Sequence, residues 1–322
     1  MQANNAKPNK QYMGEIIGYL KAFYAKTFNW PYFLLVLLLM GTVIYLNYWH
    51  QLEKKHAGSG DTWFSGFANY YLLYLTPFAL AFLLQAFFIK ATYWGNPWFW
   101  TILLLAPAFF AFRVNFDFHE SFVNNRWDMP ERAFYSRSIS WVLRVLVLLL
   151  PVFVIWWIKD KHQQPFYGSA PIGHIKPYLW MLLMMVPVIA LASTQPDFLQ
   201  TYPKAKMLAD IPSNGWTGKF RYLVYELCYG FDFVSIEFFF RGFLILGLVR
   251  ICGPHCIIPA ACFYCTIHLG KPMAEAISSF WGGMLLGIIS YHTGSVWGGL
   301  VVHLGIAWLM ELGGWLGLRR LL

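Results

Sequence analysis

Long apolar runs parted by short polar stretches set the rhythm of the whole chain. They fall at 31–48, 70–90, 97–113, 139–158 and 177–193, then at 221–251, 255–269, 275–292 and 295–317. A helix needs about 20 apolar residues to cross a bilayer, so the runs predict membrane-crossing helices, with 255–269 short enough to be tilted or partial. Trp30, Trp49, Trp94, Trp98, Trp156 and Trp157 crowd the ends of the runs, as side chains at a membrane–water boundary do. Pro77, Pro107, Pro151 and Pro187 lie inside runs and predict kinks that neighbouring helices can tolerate. The expected fold class is therefore all-α: a polytopic transmembrane helical bundle of about eight to nine spans.

The polar stretches divide the chain. Residues 1–28 carry Lys7, Lys10, Lys21 and Lys26, with Ile16, Ile17, Leu20 and Phe23 on a stripe, and read as a basic interfacial segment. Residues 29–194 form an N-terminal transmembrane half of about five spans, and 195–322 a C-terminal half. Between them 194–220 makes a long loop with Pro196, Pro203 and Pro212, then Ser213-Asn214-Gly215. Loops of that length are uncommon unless they have a function. In the last half, Gly283 and Gly287 predict close helix packing, and Ser295, Gly299, His303 and Ala307 recur every four residues.

Composition agrees with this pattern. The chain is 58% hydrophobic and 12% charged over 322 residues, where soluble domains carry about 25% charged residues. The formal net charge of +9 would suggest nucleic acid in a soluble chain; here it assigns lysines and arginines to loops that meet lipid headgroups, and no nucleic acid partner is expected. The basic opening and the length of the first run argue against a cleaved leader. Cys228, Cys252, Cys256, Cys262 and Cys265 lie in or beside apolar runs and read as small hydrophobes rather than as disulfide or zinc ligands.

Ionisable residues inside apolar runs are costly and mark functional positions. Glu237 and Arg241 are four residues apart, so on a helix they share one face. His268 and His303 each lie in a later apolar segment. Together the four could meet inside the bundle. A carboxylate and an imidazole aimed at one water can make it a nucleophile, and a second imidazole or the guanidinium can stabilise an oxyanion. The duller readings are a structural ion pair and interior or helix-bridging histidines. A zinc ion, if one binds, would take His268, His303 and Glu237 as three ligands with an open position, but no His-Glu-x-x-His is present and none is expected. Asp232 and Tyr264 are auxiliary candidates. Glu311 follows His303 by two turns, while His255 and His292 sit near segment ends.

Glu-Phe-Phe-Phe-Arg-Gly-Phe-Leu from Glu237, Tyr264-x-x-x-His268 and the Gly-Gly-Leu-Val-Val-His ending at His303 together resemble the CPBP family of CAAX proteases and bacteriocin-processing (Abi) membrane peptidases. The resemblance covers about 195–317 and makes that half CAAX-protease-like. It implies an intramembrane endopeptidase, multi-pass in a bacterial inner membrane, whose partners are the lipid bilayer and a peptide or membrane-protein substrate. The family's first motif is Glu-Glu-x-x-x-Arg. Glu237 matches the second Glu and Arg241 the Arg; His268 matches the second-motif His and His303 the third. Ile236 stands where the first Glu would be, Tyr264 where Phe is usual, and Ala307 where Asn is common. Since that first Glu is the family's water activator, three outcomes are open. Glu237 takes over as base with His268, Asp232 replaces the missing carboxylate, or the chain is an impaired homologue acting as a membrane binding or adaptor protein. A transporter with a buried ion pair is a further reading, though no internal repeat supports it.

Overall fold

The computed structural model describes residues 8–57, 62–209, 211 and 216–321. Lys7, Pro212 and the Ser213-Asn214-Gly215 turn lie outside the described residues. Within them the chain is helical, and no strand forms beyond an isolated bridge between Ser169 and Ser295. α1 (Pro8–Lys26) comes first, and the stretch up to residue 194 then holds α2 (Trp30–His50), α3 (Trp63–Ala86), α4 (Pro97–Asn115), α5 (His119–Arg126), α6 (Glu131–Ile155) and α7 (Lys176–Ala192). The C-terminal half comprises α8 (Pro196–Thr201), α9 (Trp216–Glu237), α10 (Val249–Cys252), α11 (Ile257–Thr266), α12 (Met273–Thr293) and α13 (Trp297–Leu321).

Sequence chemistry explains the ends of several of these helices. Asn29 and Asn96 cap α2 and α4 by accepting from the backbone N–H of Tyr32 and Trp98, and each is followed by a proline in the first turn. Gly294 ends α12 in the left-handed conformation at φ +65°. Pro77, Pro107, Pro151 and Pro187 all sit inside helices, as the hydropathy pattern required.

Among the described residues seven helices are long and apolar enough to cross a membrane, and α7 is a shorter apolar one. The longest continuous stretch, Trp216–Thr266, does not run straight. It leaves α9 through a π-helical segment, Phe238–Leu246, and turns at Gly253, whose φ of +57° favours a residue without a Cβ. It then returns as α11. Cys256 Sγ lies 3.8 Å from the Ile245 carbonyl, and Phe240 packs on Tyr264 with ring centroids 5.0 Å apart, so the two arms are antiparallel. With that hairpin taken as two passes and α7 added, the nine apolar runs of the sequence are all accounted for.

The core is aromatic and centres on this hairpin. Phe239, Phe240, Phe243 and Phe263 are fully buried against Phe78, Phe82 and Phe110 of α3 and α4. Burying an aromatic or large aliphatic side chain stabilises a fold by roughly 1.5–3 kcal/mol where the alternative is water; between helices in lipid, close packing takes over that role. The N-terminal helix is tied in as well. Ile16 packs with Met181, Leu286 and Ile289, and the Tyr19 ring stacks on His292 at 4.8 Å.

Candidate active site

Glu237 is the last residue of α9 and Arg241 lies one turn into the π-helical segment. Such wide turns are rare and gather at functional sites. Arg241 Nη1 stands 3.2 Å from Glu237 Oε1, and the pair is sealed: Glu237 is 0% exposed and Arg241 1%. α13 brings His303 to the same oxygen, with Nδ1 2.8 Å from Glu237 Oε1. A carboxylate can only accept, so His303 donates from Nδ1 and its Nε2 carries the lone pair. The hydroxyl of Tyr264 donates to that nitrogen at 3.0 Å. The result is a chain of contacts from Arg241 through Glu237 and His303 to Tyr264.

Tyr264 is also the link to the second histidine. Its backbone carbonyl accepts from His268 Nδ1 at 2.9 Å, and the two rings lie 4.7 Å apart. His268 is thereby fixed as the tautomer whose Nε2 can accept a proton. The Tyr264 ring lies over the Arg241 guanidinium, 4.2 Å from centroid to Cζ, where a cation is attracted to the ring face. Gly283 of α12 leaves room for this ring: a Cβ there would come within 2.9 Å of Tyr264 Cδ1.

Glu237 Oε2 is buried and has no hydrogen-bond partner, and the Nε and Nη2 of Arg241 are equally unpartnered. Oε2 lies against Gly299 of α13, where an added Cβ would approach it to 2.5 Å. The small-residue stripe of α13 thus lets this carboxylate reach His303.

The remaining candidates are placed elsewhere. Asp232 is held by Arg113 of α4, whose Nη2 lies 2.5 and 2.7 Å from its two carboxylate oxygens, and it bonds to none of the five residues above. Ile236 is buried in the aromatic core. Ala307 packs with Trp141, Tyr225 and Tyr229. Glu311 accepts from the backbone N–H groups of Lys204 and Ala205, 2.7 and 3.2 Å away, and fastens the long loop. Among the described residues no three or more His, Cys, Asp or Glu side chains are grouped as a metal site. Both nitrogens of His303 and Nδ1 of His268 already have partners, so Glu237, His268 and His303 do not fit together as zinc ligands in this arrangement.

Sequence reading passed over one neighbouring cluster. Lys271 Nζ contacts the Tyr202 hydroxyl at 2.9 Å and Glu275 at 3.2 Å, and Tyr202 contacts both oxygens of Glu275 at 3.1 Å. Lys271 and Glu275 are four residues apart, a spacing that announces a pair; Tyr202 had no signal beyond its place in the long loop. This cluster anchors the loop directly beyond His268.

Residues 222–309 match the family model described as Rce1-like, type II CAAX prenyl endopeptidase. The matched segment contains Glu237, Arg241, Tyr264, His268 and His303, so the resemblance carried by those motifs holds over it. No curated protein and no solved structure matches the chain.

Proposed function

We propose that this chain, whose residues 222–309 belong to an Rce1-like CAAX-protease segment, is an intramembrane endopeptidase that cuts a peptide bond of a membrane-associated substrate. The setting we propose is a bacterial inner membrane, and the reaction uses the chain's own side chains. The observation that carries this reading is the double role of Tyr264, which touches His303 through its hydroxyl and His268 through its carbonyl.

The tautomers divide the work. His268 Nε2 takes a proton from water, and the hydroxide so formed attacks the scissile carbonyl carbon. Its Nδ1 proton is held by the Tyr264 carbonyl, so the lone pair lies on Nε2. The negative charge that develops on the carbonyl oxygen falls to the Tyr264 hydroxyl, which turns from His303 to the oxyanion. The proton on His268 then passes to the leaving amine. Glu237 is a positioning residue here. Fully enclosed and engaged by His303 and Arg241, it holds the His303 tautomer and, through it, the Tyr264 hydroxyl.

Reconstitution in proteoliposomes tests the proposal: wild type should cleave a membrane-anchored peptide, and His268→Ala and Glu237→Gln should each lose about 10²-fold or more. Equal rates across the three overturn it. The buried Ile236 favours a second reading, in which the chain binds a membrane partner without cutting it. That reading expects no turnover from the natural chain and turnover from Ile236→Glu.

A further inference from the structure

The polar connection after α4 folds into a cavity that the catalytic reading does not use. It lies between the end of α4, α5 and the first four turns of α6, where polar sequence gives way to apolar sequence, and its volume is about 380 Å³. That is within the range of small-molecule sites. Arg132, Arg137 and Arg144 line it.

Their charges are poorly matched from within the protein. Arg132 donates from Nε to the Trp127 carbonyl at 3.0 Å, and its nearest carboxylate, the exposed Asp128, is 4.0 Å away. Neither Arg137 nor Arg144 has a carboxylate within ion-pair distance among the described residues, and Arg144 Nε is buried without a partner. Asp232 acts on Arg144 only from beyond ion-pair distance and is already held by Arg113. Two carboxylates share the lining. Glu120 is engaged by the Ser136 hydroxyl at 2.6 Å and by His119 Nε2 at 3.4 Å; Asp117 is exposed. With Asp128 answering Arg132 and Glu120 engaged by Ser136 and His119, Arg137 and Arg144 are the two guanidinium groups left without a carboxylate at ion-pair distance among the described residues.

The surroundings are those of a lipid rather than of a free solute. Met129 lines the cavity and is largely exposed, and the apolar Val114, Phe116 and Met207 line it as well. Apolar side chains left open at the end of a membrane-crossing helix suit acyl chains, and basic pockets between such helices suit headgroups. We infer that this cavity binds the headgroup of an anionic phospholipid, with its phosphate oxygens on Arg137 and Arg144 and its acyl chains leaving past the exposed Met129. Planar guanidinium forks match phosphate oxygens in pairs, which lysine cannot reproduce. This inference stands independently of the peptidase proposal.

The test uses the full chain in nanodiscs made from equal amounts of phosphatidylglycerol and phosphatidylcholine, with lipids counted by native mass spectrometry after gentle release. Wild type is expected to retain a phosphatidylglycerol in preference to phosphatidylcholine. Arg137→Gln should lower that preference by about tenfold, the effect of removing one charged hydrogen-bonding partner, and Arg137→Gln/Arg144→Gln should abolish it. Arg137 is exposed, so the single variant decides the matter if the double variant does not fold. Unchanged preference in Arg137→Gln overturns the inference, as does equal retention of the two lipids. Displacement of the lipid by an excess of inorganic phosphate or glycerophosphate assigns the cavity to a free phosphate compound and overturns the lipid.

Discussion

Glu237 Oε1 and His303 Nδ1 are 66 residues apart in sequence and 2.8 Å apart in space. The same oxygen receives Arg241, so one carboxylate, itself 0% exposed, holds a guanidinium and an imidazole together. Removing one partner of a buried pair typically costs about 3–5 kcal/mol, while replacing both by apolar groups of similar volume costs far less. Arg241→Met should therefore unfold at markedly lower temperature in detergent, and Glu237→Leu/Arg241→Met should recover much of that loss. A double variant as unstable as the sum of the singles contradicts the pairing.

Gly299 offers a test without touching a polar group. Its missing Cβ is what leaves space for Glu237 Oε2. Gly299→Ala should push the carboxylate away from His303 and so misplace the Tyr264 hydroxyl, lowering kcat by about 10²-fold, as a misplacement of about an ångström arising away from the chemistry can do. Native kcat in this variant contradicts the arrangement.

Much of this site was legible before the fold was known. The four-residue spacing of Glu237 and Arg241 and the presence of one histidine in each of two later apolar runs already pointed to a meeting inside the bundle, because charge in lipid needs a partner. The apolar runs likewise marked the helices. What the sequence left open was the role of each group. Asp232 looked available as a replacement carboxylate, but Arg113 lies 119 positions earlier and no local pattern links the two. Tyr264 read as a mild departure from a phenylalanine, whereas its hydroxyl and carbonyl join the two histidines. Contacts between helices distant in sequence decide such roles, and hydropathy carries no trace of them.

The loop beyond His268 gives a further expectation. Tyr202, Lys271 and Glu275 hold each other at 2.9–3.2 Å. Tyr202→Phe removes a hydroxyl shared by a lysine and a carboxylate, and should loosen the 196–208 region by about 1–3 kcal/mol. Hydrogen exchange of the backbone in that region should speed up while α3 and α4 stay protected. Unchanged exchange in 196–208 contradicts the anchoring role.

The central claim is that Glu237, His303 and the Tyr264 hydroxyl act as one unit in supporting the reaction at His268. A double-mutant cycle on kcat/KM with Glu237→Gln and Tyr264→Phe measures this directly, because Phe keeps the ring over Arg241 and removes only the hydroxyl. Residues that act as a unit are non-additive, so the double variant should be no slower than the slower single variant, each single losing about 10²-fold. Losses that multiply in the double variant, or a Tyr264→Phe enzyme as fast as wild type, would contradict the account.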